Sequence, residues 1–250
     1  MSFRILILGG SSEGFQLARQ LEDSEKFEPL TSFAGVTKTR RPVAGASRVG
    51  GFGGAEGLRD FIQKENIAAL LDATHPFASI MKHNAQSAAQ MANIPCLHVL
   101  RPEWRPREGE EWITVRDMDE AARAIPQGAS PTFLTVGRTE LAPFARRRDI
   151  VFLARVIDAP QNTADFAHLE LVLARGPFDV KTDMALFKSR KIACLVSKNS
   201  GGESAASKLV CARRLGIPVV MVNRPAPPEG EIAETPAQAV NWLEARFNVS

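Results

Sequence analysis

The sequence predicts an α/β protein made of two parallel-sheet αβα domains of the Rossmann-like kind. Three observations predict it. Short apolar runs alternate with helical patterns from one end of the chain to the other. The runs are apolar throughout, as strands covered on both faces of a sheet must be. A stretch crowded with prolines and charges, LRPEWRPREGEEW from Leu100 to Trp112, breaks the alternation and reads as the inter-domain connection.

In the first half, strands are expected at Arg4–Leu8, Pro29–Ala34, Ala68–Asp72 and Cys96–Leu100. Helical patterns lie between them at Glu13–Leu21, Glu56–Lys64 and Ser79–Ala92. On the third helix Met81, Ala85, Ala88, Ala89 and Ala92 share one face, with Lys82, His83 and Gln90 elsewhere. The second half repeats the scheme. Its strands are expected near Thr132–Val136, Ile150–Arg155, Leu169–Ala174, Ile192–Ser197 and Pro218–Val222, and its helices at Asp117–Ile125, Lys181–Ser189, Glu203–Leu215 and Pro236–Phe247. The last helix has Thr235 as its N-cap, Pro236 in its first turn, and Val240, Leu243 and Phe247 on one face. The expected domains are residues 1–104 and 105–250.

Composition excludes several classes. The 250 residues are 44% hydrophobic, enough for a sizeable core, and the formal net charge is only +3. Neither half is a basic arm, so nucleic-acid binding gains no support; Arg146, Arg147 and Arg148 read as a solvated helix end. The chain enters its first strand within a few residues, which leaves no room for a leader segment. No apolar run approaches the ~18–20 residues of a membrane span. A cytoplasmic protein is therefore expected, with Cys96, Cys194 and Cys211 as reduced, buried thiols. The four histidines show no metal-binding spacing, so no metal is expected.

The chemistry begins at GGSSEG, Gly9 to Gly14, where a strand ends in glycines at a helix start. Such a turn either presents backbone N–H groups to a phosphate or merely packs strand against helix. Gly9 and Gly14 fit the dinucleotide fingerprint, but Ser11 replaces its middle glycine. About 20 residues on, an NAD-binding unit places an acid for the ribose 2′-hydroxyl. Here no acid occurs from Pro29 to Gly54, and Thr37, Lys38 and Arg40 either offer donors for a 2′-phosphate or form a plain polar loop; of the two nucleotides NADP is expected over NAD. A second glycine cluster, Gly50 to Gly54, permits close backbone approach to a ligand or forms a plain loop. DATHPFA, Asp72 to Ala78, ends the next strand and is expected to set His75 at the carboxyl edge, where open α/β sheets bind ligands, either as a ligand contact or as a structural, hydrogen-bonded histidine. In the second half VGRTEL, ARGPF and VSKNSGGESAASK each follow a strand and carry a cation, Arg138, Arg175 and Lys198, which would share one rim.

Taken together and in order, GGSSEG, GGFGGAEGL, DATHPFA, LRPEW, ARGPF and KNSGGESAASK resemble the precorrin-6A reductase family of cobalamin biosynthesis over nearly the whole chain. The resemblance implies NADPH-dependent reduction of one ring carbon–carbon double bond of precorrin-6A to precorrin-6B. It also implies an active-site cleft between an NADP-binding domain and a tetrapyrrole domain. Some family members act on the cobalt-loaded substrate. On this reading the cofactor contacts are Gly10, Ser11, Ser12, Glu13, Thr37, Lys38, Arg40, Gly53, Thr74 and His75, with Ser200, Gly201 and Gly202 seating the nicotinamide. Arg101, Arg138, Arg155, Arg175 and Lys198 would complement the substrate's carboxylates. His75 is the candidate proton donor. A non-catalytic NADP-sensing module would leave the second-half cations without a role. A short-chain dehydrogenase would need a catalytic tyrosine, and this chain has none.

Overall fold

The computed structural model describes residues 2–35 and 42–248. In chain order the first elements are β1 (Phe3–Leu8), α1 (Ser12–Glu22), β2 (Phe27–Phe33), β3 (Ala46–Val49), α2 (Ala55–Lys64), β4 (Ala69–Asp72), α3 (Ser79–Ala92) and β5 (Cys96–Val99). Then come β6 (Trp112–Val115), α4 (Met118–Ala124), β7 (Thr132–Thr135), β8 (Phe152–Val156), β9 (Leu169–Leu173), α5 (Val180–Ser189), β10 (Cys194–Lys198), α6 (Ser207–Leu215) and β11 (Val219–Val222). The described chain closes with β12 (Glu231–Ala233) and α7 (Pro236–Arg246).

Two compact units result. One comprises Met1–Pro102 and Pro225–Ser250, the other Glu103–Arg224. Each holds a six-stranded parallel sheet, ordered β12-β5-β4-β1-β2-β3 in the first and β6-β11-β10-β7-β8-β9 in the second. Setting aside the edge strands β6 and β12, the chain begins each sheet at a central strand, β1 or β7, lays two strands outward, then crosses to the other side of that strand for two more. The crossing opens a switch point between β1 and β4 in one unit, and between β7 and β10 in the other, where the connections diverge and a ligand can enter. After β5 the chain leaves to form the edge strand β6, and after β11 it returns to form β12. Each sheet's sixth strand is thus made by the segment that follows the fifth strand of the other.

The first core lies on both faces of its sheet, as the apolar strands require. Ile5, Ile7, Leu71 and Leu97 pack with Leu17, Leu21, Ala239 and Leu243 of α1 and α7. Leu6, Leu8, Leu70 and Cys96 pack with Leu58, Ile62, Ala85 and Ala89 of α2 and α3. In the second unit Phe133, Leu153, Leu195 and Met221 meet Phe187, Leu209 and Ala212 of α5 and α6. No helix among the described residues is long and apolar enough to cross a membrane.

Three expectations need correction. The segment 225–250, placed with the second domain, belongs to the first unit. Ile232 pairs with His98, and the Phe247 ring lies 4.3 Å from that of Phe3. The apolar face of α7 was legible, but periodicity does not say which sheet such a face covers. Next, β3, β6 and β12 were not expected; each is an edge strand of three or four residues with exposed positions, so none reads as an apolar run. Finally, Glu203–Leu215 is not one helix: residues 203–205 form a 3-10 turn, and α6 begins at Ser207. The caps did follow the sequence, with Thr235 Oγ1 accepting from the Gln238 amide at 3.2 Å and Pro236 in the first turn.

Leu243 is fully buried against the first sheet. Leu243→Ala is expected to cost about 2–5 kcal/mol. Hydrogen exchange should then quicken in α1 and β1 and stay unchanged in β10 and β11. The opposite pattern would place α7 with the second unit.

Candidate active site

The turn after β1 divides its glycines by task. A Cβ on Gly9 would stand 2.9 Å from Thr31 Cγ2, and one on Gly14 would stand 3.2 Å from the Gly9 Cα, so these two let helix and strand close up. Gly10 differs: its φ is +130°, and nothing lies within 4 Å of where its Cβ would be. Packing and open backbone approach are thus both built into the turn, at different residues. Ser11 caps α1, its Oγ accepting from the Gly14 amide at 3.3 Å and donating to the Ala73 carbonyl at 2.7 Å. That second bond ties the turn to the exit of β4 across the switch point. Ser12 Oγ and Arg101 Nη1 both donate to the Glu13 carboxylate, at 3.1 and 2.6 Å. Burial opposes the Glu13 charge, but Arg101 and the hydrogen bonds outweigh it and lower its pKa. Arg101, expected to meet substrate, is therefore a first-unit residue paired beside the glycine turn.

At the second glycine cluster Gly53 and Gly54 have φ of +82° and +100°, with open space at both Cβ positions. Gly54 precedes α2 with no side-chain cap. Thr37, Lys38 and Arg40 lie outside the described residues.

Past β4 the chain is held by one buried carboxylate. Asp72 Oδ1 accepts from the Thr74 amide at 3.0 Å and the Thr74 hydroxyl at 2.6 Å. Asp72 Oδ2 accepts from Lys82 Nζ at 3.0 Å and from His98 Nδ1 at 2.7 Å. Asp72 and His98 are wholly buried, and Lys82 is 3% exposed. Burial works against the Asp72 charge, yet the His98 hydrogen bond, the Lys82 ammonium and the Thr74 hydroxyl hold the carboxyl well below the usual carboxylate range. Half-buried His75 follows directly, its Nδ1 accepting from the Phe77 amide at 3.3 Å. In the neutral ring the proton is then on Nε2.

Sequence reasoning missed this cluster and placed Lys82 away from the apolar face. The signal was present. Lys82 shares the i, i+3, i+7 stripe with Ala85 and Ala89, and an acid and a histidine interrupt the apolar runs of β4 and β5. The thiols met expectation: all three are free and buried. Burial pushes Cys96 up to about 12, helped by the Asp72 charge, and Cys194 and Cys211 up to about 11.

In the second unit the cation-bearing loops all leave the carboxyl edge of one parallel sheet. Arg138 follows β7 and faces Asp158 at 3.9 Å. Lys198, closing β10, donates to Glu140 Oε2 at 2.7 Å, and the same oxygen accepts from the Gly137 amide at 2.7 Å. Exposed Arg175 follows β9. Arg155 departs from the expected rim. Its side chain is 8% exposed, paired with Asp183 and stacked over Phe178 at 3.6 Å. Ser207 also donates to Asp183, so this group braces β8 against α5 and α6. The loop Ser200–Gly201–Gly202 has left-handed φ at both glycines, +66° and +79°, which ends the strand and forestalls a long helix. Asn199, not anticipated, clamps it: Oδ1 accepts from the Trp104 amide at 2.8 Å and Nδ2 donates to the Trp104 carbonyl at 2.9 Å.

The Asp72 cluster sets a pH dependence. Its folded pKa lies below the unfolded value, so its stabilisation is present above the ordinary Asp range, near ~3.9, and fades as pH falls below it. Asp72→Asn leaves Lys82 buried without a counter-charge and is expected to cost about 3–5 kcal/mol. Urea unfolding at neutral pH measures that loss, and between about pH 5 and 3 the variant should show a shallower acid destabilisation than wild type. A loss under about 1 kcal/mol would mean that the charges are not coupled.

The model of the precorrin-6x reductase CbiJ/CobK family matches residues 4–244. A precorrin-6A reductase of Rhodococcus erythropolis is 44% identical over 241 residues, 96% of this chain and 97% of that protein. A cobalt-precorrin-6A reductase of Priestia megaterium is 27% identical over 252 residues, 96% of this chain and 97% of its own. The solved structure of a CobK precorrin-6A reductase superposes with a TM-score of 0.93 at 36% identity, covering 99% of this chain and 98% of that one. With its two doubly wound sheets and the open glycine turn at the first switch point, the chain belongs to the precorrin-6x reductase CbiJ/CobK family.

Proposed function

We propose that this chain reduces one ring carbon–carbon double bond of precorrin-6A to give precorrin-6B in cobalamin biosynthesis, with NADPH as reductant. The observation that carries the proposal is Gly10, left-handed and open at the switch point between β1 and β4. A backbone free of side chain there suits a pyrophosphate, and Ser11, Ser12, Glu13, Gly53, Thr74 and His75 stand on the same carboxyl edge. Family membership makes the chain an oxidoreductase. The higher identity to a precorrin-6A reductase than to a cobalt-precorrin-6A reductase favours the metal-free substrate.

The fit to NADPH rests on residues present here. Lack of any acid between Pro29 and Gly54 removes the usual partner of a free ribose 2′-hydroxyl, and Thr37, Lys38 and Arg40 supply donors in the same stretch. When bound, the nicotinamide supplies a hydride. The chain then has to orient the macrocycle, exclude water and deliver one proton to the carbon next to the one reduced. His75, with its proton on Nε2 in the neutral ring, is the group proposed to donate it. On the second unit Arg138, Arg175 and Lys198, together with the Ser200–Gly202 loop, are proposed to receive the acidic macrocycle and seat the nicotinamide; Arg101 stays in the proposal through its pairing with Glu13.

The test is single-turnover oxidation of NADPH on mixing with precorrin-6A, followed across pH for wild type and His75→Asn. Wild type should consume one NADPH per macrocycle, with NADH a poor substitute. His75→Asn should lose at least about tenfold in rate, along with the near-neutral ionisation that an imidazole donor gives. A variant within about twofold of wild type, its ionisation intact, takes His75 out of the chemistry. Failure of the wild type to consume NADPH defeats the function itself.

Added salt supplies a separate check on the substrate rim. Partly exposed charge pairs are screened over about 10 Å at 0.1 M, so the macrocycle KM should rise with ionic strength. A salt-independent KM, with Arg138→Ala, Arg175→Ala and Lys198→Ala all like wild type, would move the substrate to another surface.

A further inference from the structure

Arg48 was singled out by no motif, and its surroundings are unusual for a surface cation. It lies on β3 beside Ser32 of β2, at the carboxyl edge of the first sheet. Nη1 donates to Ser32 Oγ at 2.8 Å and to the Gly50 carbonyl at 3.0 Å, and Nη2 donates to the Gly51 carbonyl at 3.3 Å. Its Cζ sits 4.2 Å from the Phe52 ring centroid and 4.9 Å from that of Phe61. The guanidinium is therefore fixed in place by neutral groups alone. Among the described residues no carboxylate pairs with it, whereas Arg4, Arg59, Arg101, Arg116 and Arg155 each have one. The undescribed residues 36–41 contain no acid that could neutralise it.

Guanidinium has five N–H donors, and the three bonds above leave Nε–H and one Nη2–H unused. With the Gly51 carbonyl taking the Nη2 hydrogen on the Nη1 side, the remaining two would lie along one edge of the plane, the edge that grips a carboxylate or phosphate with two parallel bonds. Next to it, Gly51, Gly53 and Gly54 leave the backbone open, with nothing within 4 Å of any of their Cβ positions. The position along the sheet identifies the anion. β2 and β3 lie on the side of β1 away from the switch point, the side to which the adenosine half of a dinucleotide extends from a glycine turn at β1.

Building on the NADPH reading above, we propose that Arg48 is a specificity-determining residue. It binds the 2′-phosphate monoester of the nucleotide through its Nε–Nη2 edge, on a platform made by Phe52, Phe61 and the Gly50–Gly51 carbonyls. The fixed, unneutralised cation sets the preference for the phosphorylated over the unphosphorylated dinucleotide. It does so without touching the reacting atoms.

The experiment measures binding alone, with the full chain and no macrocycle present. Wild type and Arg48→Gln are titrated with NADP⁺ and NAD⁺, and with adenosine 2′,5′-bisphosphate and 5′-AMP. Arg48→Gln should weaken NADP⁺ and the bisphosphate by about 10- to 150-fold, the range of one charge-assisted hydrogen bond, and leave NAD⁺ and 5′-AMP within about twofold. Unchanged NAD⁺ binding also shows that the variant is folded. Arg48→Lys, which keeps the charge and loses the two-pronged edge, should fall between. Equal weakening of both nucleotides, or no change in the preference, overturns the proposal; so does a rise in macrocycle KM with nucleotide binding intact, which would assign the edge to a substrate carboxylate. A wild-type arm covers a variant that does not fold: adenosine 2′,5′-bisphosphate should slow phenylglyoxal modification of Arg48 at concentrations where 5′-AMP does not, and equal protection overturns the assignment. Wild type that binds neither dinucleotide defeats the cofactor reading as a whole. Wild type that binds NADP⁺ with its preference unaltered in Arg48→Gln defeats only the role of Arg48.

Discussion

A single buried carboxylate organises the carboxyl edge of the first unit's sheet. Asp72 closes β4, the strand across the switch point from the glycine turn, and all four of its hydrogen bonds go to groups that would otherwise be unsatisfied or free to move. Two of them fold Thr74 back over the strand end and so set the path of the chain into His75. The others hold a lysine and a histidine that could not be buried alone. Ser11 then anchors to the carbonyl of Ala73, the next residue along, so the glycine turn inherits its position from the same place. A buried ion pair of this kind is a poor source of stability compared with an apolar filling. Its use here is geometric: it gives a short strand end one path.

Much of the fold was legible because buried parallel strands write themselves as apolar runs. β1, β4, β10 and β11 are nearly all interior, and the sequence shows them within a residue or two. Edge strands are the converse case. Glu231-Ile232-Ala233 is a strand only because β5 offers it an unpaired edge, and no local pattern carries that information. The same distinction separates the site residues. Gly10 and Ser11 were visible since a glycine turn between strand and helix is a local signal. Lys82 and His98 were not, because burial of a charge depends on a partner many residues away. Arg155 failed for the mirror reason: it follows a strand like the other cations, and only the fold reveals Asp183 beneath it.

Electrostatics differ between the two edges. On the second sheet Arg138 and Lys198 are already paired, with Asp158 and Glu140. An acidic macrocycle bound there, as proposed, would meet cations held by the protein's own carboxylates and would exchange one partner for another instead of filling an empty charge. Such exchange is close to neutral in energy and favours geometry over brute attraction. On the first sheet no carboxylate among the described residues pairs with Arg48, so an anion bound there, as proposed, would displace none. On that proposal the two edges would do different work, selectivity by shape on one and selectivity by charge on the other.

The crossed sixth strands bear on how the protein is made. A ribosome delivers the chain from its N-terminus, and most domains can close as soon as their last residue emerges. This first unit cannot. Its β5 edge waits through the synthesis of 122 intervening residues, Glu103 to Arg224, before β12 and α7 arrive to cover it. The second unit, contiguous in sequence, has all its strands in hand earlier. The nascent chain thus carries an open, pairable β5 edge until residues 225–250 arrive, and that segment is the latch that completes the half begun first.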